Sequence, residues 1–389
     1  MQYNFDEIIP RKGTGCVKHD ALLRNFGRDD LLPMWVADMD FRTPGFVMQA
    51  LRQRCDHEVL GYAVAPDSYW ATMQEWLRRH YNINSSREEL HYIPGIVAGI
   101  AFAIQALTQV GDTILVTTPV YPPFLNLPRN GGRRLECSPL KVVEGRFAID
   151  FDDLEARARH AQLMILSNPH NPGGTVWDAV TLRRIADICH RYHVTVIADE
   201  IHSDMILPGH RHTSFSTVSA EARDISCTFI APSKTFNIAG LGSSLCYLPN
   251  AGLRQRFFGY LDGYELANGN IFAFVGAETA FREGEEWLAQ MLQYLQGNVE
   301  CLRRYLADEM PAVRAILPEA SYLAWLDFSA LGLTHEELWD RIINRARVAL
   351  NDGTTFGGEA YGQCFRINLG CPRATLVEAL DRLRSAFEG

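Results

Sequence analysis

Lys234 stands in the word Pro232-Ser233-Lys234-Thr235, directly after the apolar run 227–231. Three other words carry reactive groups at the same place relative to such a run. Tyr121 follows the run 113–117, in Thr118-Pro119-Val120-Tyr121. Asn171 follows 163–166, in Ser167-Asn168-Pro169-His170-Asn171-Pro172-Gly173-Gly174. Asp199 and His202 follow 194–198, in Asp199-Glu200-Ile201-His202. An amine, a carboxylate, an amide and an aromatic ring delivered in this way suit covalent chemistry on an aromatic aldehyde. A lysine amine condenses with the aldehyde and, once freed, carries a proton. Its basicity must be lowered, which a partly dry site does. A carboxylate keeps a ring nitrogen protonated, so that the ring draws electrons from a substrate carbanion. An aromatic face stacks on the ring, and an amide donates to a ring oxygen. The cofactor that needs all four groups is pyridoxal phosphate.

Taken singly, each word has a plainer reading. Asp199-Glu200 after an apolar run can cap a helix. Asn171-Pro172-Gly173 is an ordinary turn sequence. An isolated lysine is a surface residue, and Tyr121 alone reads as core. The arrangement at successive run ends is what favours a site. Asp199, Glu200, His202 and Asp204 are of metal-ligating types, but the spacing matches no known ligand pattern and leaves the lysine unexplained, so no metal is expected. Upstream, Pro94-Gly95-Ile96-Val97 opens a helical stretch over 97–109. It is either a plain helix start or a phosphate site made of free backbone amides. No Gly-rich dinucleotide fingerprint, no P-loop and no Gly-x-Ser-x-Gly elbow occurs in the chain.

The elements that must position these groups follow from the pattern. The runs 113–117, 163–166, 194–198, 227–231 and 244–248 are short and mostly aliphatic, as strands covered on both faces are. Between two of them, 178–193 places Leu182, Ile185, Ile188, Cys189 and Tyr192 at helical spacing, with Asp178 as its cap. Strand, helix, strand in this order predicts an α/β fold with a mainly parallel sheet and crossover helices, its ligand beyond the carboxyl ends of the strands. The C-terminal part differs. A long amphipathic helix over 285–309, interrupted at Gly297, precedes a strand at 322–328, a helix at 334–345, a strand at 365–369 and a closing helix at 374–387. The expected division is a large domain over 46–280 and a smaller α+β domain made of 1–45 with 281–389.

Composition removes several functions. With 389 residues, 21% of them charged, a net charge of −9 and no basic run, nucleic acid is not an expected partner. No apolar stretch is long enough to span a bilayer, and the N-terminus does not read as a signal peptide, so no membrane partner is expected. The nine cysteines lie far apart with no Cys-x-x-Cys pair, which suits reduced thiols in the cytoplasm.

The words quoted above also carry a family resemblance. The chain resembles fold-type I pyridoxal-phosphate enzymes of the class I/II aminotransferase superfamily. Within it, the chain is similar to the MalY/PatB branch of cystathionine β-lyase-like C–S lyases. Arg11-Lys12-Gly13-Thr14, Leu32-Pro33-Met34-Trp35-Val36-Ala37-Asp38-Met39-Asp40-Phe41 and Gly61-Tyr62 carry it near the start, and the stretches 167–174, 199–202 and 231–241 in the middle. Tyr322-Leu323-Ala324-Trp325-Leu326-Asp327, Phe365-Arg366-Ile367-Asn368 and Cys371-Pro372-Arg373 carry it near the end. The resemblance implies a large domain with a mainly parallel, seven-stranded-type sheet. It implies that Lys234 binds the cofactor and moves protons, Asp199 pairs with the ring nitrogen, and Asn171 bonds the phenolate oxygen. It further implies that Tyr121 stacks on the ring with His202 nearby, and that Gly95, Ile96, Val97 and Ser233 bind phosphate. Arg366 takes the substrate carboxylate, with Ala37 and Tyr121 beside it. Tyr62 reaches the phosphate of a neighbouring subunit, so a homodimer shares its active sites. The chain departs from many aminotransferases at His202, where Tyr is common, at Ala231, where Ser is common, and at Gly242, where Arg is common. Phosphate binding therefore has to lean on backbone amides and Tyr62.

The activity the resemblance implies is α,β-elimination from an amino acid: a C–S β-lyase that converts cystathionine or a cysteine S-conjugate to a thiol, pyruvate and ammonia. Transamination begins with the same carbanion and is the alternative. A regulatory role through a protein partner, beside catalysis, is a third reading of a different class.

Overall fold

A computed structural model describes residues 2–388. Its centre is a seven-stranded sheet of Leu90–Ile93 (β1), Thr113–Thr118 (β2), Arg134–Pro139 (β3), Leu163–Ser167 (β4), Thr195–Asp199 (β5), Ser226–Ile230 (β6) and Ser244–Tyr247 (β7). The spatial order is β1-β7-β6-β5-β4-β2-β3. Strands β3, β2, β4, β5 and β6 run parallel; β7 is antiparallel to both its neighbours, so β1 at the other edge runs in the same direction as those five. The apolar runs of the sequence are the central strands, and every residue of β2, β4 and β6 is buried. This is the mainly parallel sheet expected. Aliphatic side chains on both faces need cover from helices, and the crossover connections supply it.

Between β4 and β5 the helix Ala179–Arg191 begins at the Asp178 cap, whose carboxylate accepts from the Thr181 amide at 2.7 Å. The stretch after Pro94 is the helix Ile96–Leu107. It starts at Gly95, whose φ of +135° is open to glycine and strained for other residues.

A second, four-stranded sheet is built from Arg314–Ile316 (β8), Leu323–Asp327 (β9), Asn351–Asp352 (β10) and Cys364–Asn368 (β11), in the order β8-β9-β11-β10. The start of the chain joins this region: Leu32–Pro33 pairs in parallel with Val348–Ala349. The segment 35–40 then passes from there towards the carboxyl ends of the central strands, where the Asn237 amide donates to Met39 and Phe41 carbonyls at 2.9 and 2.8 Å.

Two expectations need correction. Helix Glu285–Glu309 is not interrupted at Gly297 but runs through it. The missing side chain makes room for Arg373, since a Cβ at Gly297 would lie 2.4 Å from its Nη2. The Arg373 guanidinium lodges there and donates from Nε to Asn298 Oδ1 at 2.5 Å. The helix over 334–345 is α-helical only as His335–Trp339, capped by Thr334 and Glu337, and widens to a π-helix over Asp340–Arg345. Among the described residues, no helix is long and apolar enough to cross a membrane.

Candidate active site

A cavity of about 320 Å³ opens at the carboxyl ends of the parallel strands, and Lys234, Asp199, Asn171, Tyr121 and His202 all line it. Gly95, Ile96, Val97, Ser233 and Ala37 line it too. The end of each strand, or the turn after it, brings one of the four reactive groups. Tyr121 follows β2, with its ring edge-on to Phe124 at 5.7 Å. Asn171 follows β4, Asp199 ends β5, and Lys234 sits on the short helical turn Pro232–Thr235 after β6. Parallel strands end on one side of the sheet, so words dispersed over more than a hundred residues meet there.

The electrostatics of the cavity are those of a dry site. Burial pushes the Lys234 amine down to about 8, with Asp38 and Asp199 opposing that shift and Arg366 adding to it. Burial pushes the Asp199 carboxyl up to about 7, against a backbone hydrogen bond from Ile201 and the charge of Lys234. A cation beside Asp199 would stabilise its charged form. His202 is held neutral by burial, its pKa lowered to about 3, and its Nδ1 has no hydrogen-bond partner. Burial raises the Tyr121 hydroxyl.

Hydrogen bonds aim the polar groups. Asn171 Oδ1 accepts from Arg366 Nη1 at 2.9 Å, which leaves the Nδ2 group as the one free to donate into the cavity. Lys234 Nζ donates to the Ala37 carbonyl at 2.5 Å, and Tyr322 donates to the same oxygen at 3.0 Å. At the other end of the cavity, Ile96 and Val97 open their helix with no side-chain cap, so their amides have no partner within the helix. The residues fit pyridoxal phosphate: an amine of lowered basicity, a buried carboxylate for the ring nitrogen, an amide donor, a ring to stack, and uncapped amides with Ser233 for a phosphate.

Arg366 and Tyr62 stand apart from this lining. Arg366, on β11, lies behind Asn171 and is buried; its Nη2 donates to the Trp35 carbonyl at 3.0 Å and to Asn351 Oδ1 at 2.6 Å. Burial lowers its pKa to about 10. It is within one hydrogen bond of the cavity, through Asn171. Tyr62 lies in the irregular stretch before the helix Asp67–Tyr81, fully exposed, and is not among the residues that line the cavity of its own chain. Sequence reading missed Ser243 and Ser244, which line the cavity beside Gly242. The signal was there, in two hydroxyls entering the antiparallel strand β7 from the position where a cation is common. Glu200 and Asp204 are taken up by the fold. Glu200 accepts from Asn168, His212 and the Phe215 amide, and Asp204 from Trp76, Tyr81 and Thr235.

Known proteins match this arrangement. The profile of the family described as aminotransferase class I and II matches residues 36–383. Cystathionine β-lyase PatB of Bacillus subtilis is 40% identical over 388 residues, covering 99% of this chain and 100% of PatB. The crystal structure of cystalysin from Treponema denticola, which contains a pyridoxal 5′-phosphate cofactor, superposes with a TM-score of 0.96 at 31% identity, covering 100% of this chain and 99% of cystalysin. The pyridoxal-phosphate-bound C–S lyase of Staphylococcus hominis superposes with a TM-score of 0.92 at 32% identity, covering 100% of this chain and 99% of that enzyme. With its lysine, carboxylate, amide and aromatic ring at the ends of a seven-stranded sheet and its likeness running from end to end, the chain belongs to the aminotransferase class I and II family, on the branch of PatB.

Proposed function

We propose that this protein is a pyridoxal-phosphate-dependent C–S β-lyase, which cleaves cystathionine or a cysteine S-conjugate to a thiol, pyruvate and ammonia. The observation that carries the reading is full-length likeness to PatB joined to one cavity that contains Lys234, Asp199, Asn171 and Tyr121. When bound, pyridoxal phosphate supplies an electron sink for the substrate's Cα carbanion. Lys234 would hold it covalently, Asp199 would pair with its ring nitrogen, Asn171 Nδ2 would donate to its phenolate oxygen with His202 alongside, and Tyr121 would stack on the ring. The Gly95, Ile96 and Val97 backbone and the Ser233 and Ser243 hydroxyls take the phosphate. Arg366 turns its fork to the substrate α-carboxylate, with Ala37 and Tyr121 flanking.

The residues then divide the reaction. Arg366 and Asn171 orient the substrate so that its Cα–H faces Lys234 Nζ. That amine takes the Cα proton. The β C–S bond breaks, and the thiolate leaves with the electron pair and takes a proton. The three-carbon fragment is released and hydrolyses to pyruvate and ammonia. The same reading includes a cytoplasmic homodimer in which Tyr62 of each subunit reaches its neighbour's site, and a large domain over 46–280 with a small one formed by 1–45 and 281–389.

The test is a substrate panel of cystathionine, cystine and S-alkylcysteines, assayed for pyruvate with no oxo acid present. The lyase reading expects pyruvate from at least one. No pyruvate from any of them, with turnover only when an oxo acid is added, would make the protein a transaminase instead.

A further inference from the structure

Side chains around the site claim every backbone carbonyl of the strap 35–39. Trp35 O accepts from Arg366 at 3.0 Å, Val36 O from Asn368 at 2.5 Å, and Ala37 O from Lys234 at 2.5 Å. Asp38 O accepts from Asn368 at 2.7 Å, and Met39 O from Asn237 at 2.9 Å. The strap is held in turn by an ion cluster. Arg11 grips the Asp38 carboxylate as a fork, Nη2 to Oδ2 at 2.7 Å and Nη1 to Oδ1 at 3.2 Å, and reaches Asp40 Oδ1 at 2.6 Å. Lys18, fully buried, lies 2.6 Å from Asp40 Oδ2 and 3.8 Å from Asp38 Oδ1. Two cations balance two carboxylates. Stability is a poor explanation for such a cluster, because well-packed apolar residues commonly hold a fold as well as a buried ion network does.

We propose that Asp38, held by Arg11 and Lys18, is a positioning residue for the amine of Lys234: the cluster fixes the Ala37 carbonyl that receives one N–H of the amine, and the Asp38 carboxylate stabilises the ammonium that forms when Nζ takes the Cα proton. The inference rests on the lyase reading above. A neutral amine has two N–H bonds and one lone pair. Giving one N–H to a fixed carbonyl limits where the lone pair points, which is the orientation a proton transfer needs. Asp38 acts on Lys234 against burial, and so does Asp199 from the end of β5; Arg366 on β11 acts with burial, and neutral His202 faces the amine from the turn after β5.

Removing the carboxylate and removing its clamp should therefore act in opposite directions. The measurement is the pH dependence of the bound cofactor's absorbance in the holoenzyme, joined to the rate of Cα deuterium exchange of a substrate in heavy water. Asp38→Asn is expected to lower the absorbance midpoint by about 1 pH unit and to slow the exchange about tenfold. Arg11→Gln, which unbalances the cluster toward negative charge, is expected to raise the midpoint. A midpoint unmoved in both variants, or moved the same way in both, overturns the proposal and leaves the cluster as an anchor. If Asp38→Asn does not fold, Arg11→Gln decides alone, and an unmoved or lowered midpoint overturns the proposal. Wild-type protein that takes up no coloured cofactor sinks the lyase reading and this one together; coloured protein with unmoved midpoints sinks only this one.

Discussion

Asp199 shows how much of the chemistry lies in single residues. Its carboxyl is buried at the end of a central strand, accepts one backbone hydrogen bond, and is raised to about 7 by burial. A protonated ring nitrogen set against it would restore the charged form, and an amide in its place would not. Asp199→Asn should therefore still bind the cofactor on Lys234, seen as a borohydride-trapped adduct at that residue. Its kcat for β-elimination should fall by about 10²–10³, the scale for removing one preorganised electrostatic partner. An Asp199→Asn enzyme with wild-type kcat would remove Asp199 from the ring nitrogen. The same reasoning bears on Arg366. Its guanidinium is buried and already spends its donors on Asn171, Asn351 and Trp35, so substrate binding exchanges existing hydrogen bonds rather than satisfying a free cation.

At the scale of elements, the turn between β4 and the helix Ala179–Arg191 decides where Asn171 points. Gly174 ends that turn at φ +68°, its amide donating to the His170 carbonyl at 2.7 Å. A Cβ there would lie 2.5 Å from Pro318 Cβ and 2.6 Å from the Ala320 carbonyl oxygen, neither of which can swing away. Gly174→Ala should cost about 2–4 kcal/mol, from overpacking and an unfavourable backbone conformation together. Chemical denaturation checks the cost, and a weaker cofactor affinity should accompany it because Asn171 shifts. Gly297→Ala is the contrast. Its added Cβ meets only the tip of the flexible Arg373 side chain, and alanine favours the helix, so stability should change by less than about 1 kcal/mol.

For the whole molecule, the exposed stretch that includes Val59, Leu60, Tyr62 and Val64 is the feature a single chain does not explain; these side chains are 66%, 62%, 112% and 87% exposed. A second subunit that covers them would bring Tyr62 to a neighbouring cavity. Sedimentation should give twice the chain mass. Mixing Tyr62→Ala with Lys234→Ala, each nearly inactive, should restore activity after unfolding and joint refolding. Random pairing of two-fold dimers makes half of them mixed, each with one intact site, so about a quarter of wild-type activity is expected. No recovery from the mixture would place Tyr62 in its own chain's site or outside the chemistry.

The reactive words were legible because apolar runs mark strands buried on both faces, and in a parallel sheet whatever follows such a run lands on the same rim. Lys234, Asp199, Asn171 and Tyr121 could be picked out by residue type and placement alone, and Asp178 by its capping position. Strand Arg134–Pro139 escaped notice because an edge strand with a polar, part-exposed face has no apolar run; Leu90–Ile93, mostly buried, escaped because it is short and His91 and Tyr92 interrupt its aliphatic pattern. Glycine's low helix propensity points to a break at Gly297; the Arg373 side chain that uses its missing Cβ is distant in the chain. The contact between Lys234 Nζ and the Ala37 carbonyl, 197 residues apart in sequence, and the Arg11–Asp38 clamp behind it follow from packing. Periodicity records how deeply each residue is buried, since burial is a local preference of the side chain. Which distant groups meet depends on how helices and sheets stack, and no local pattern encodes that.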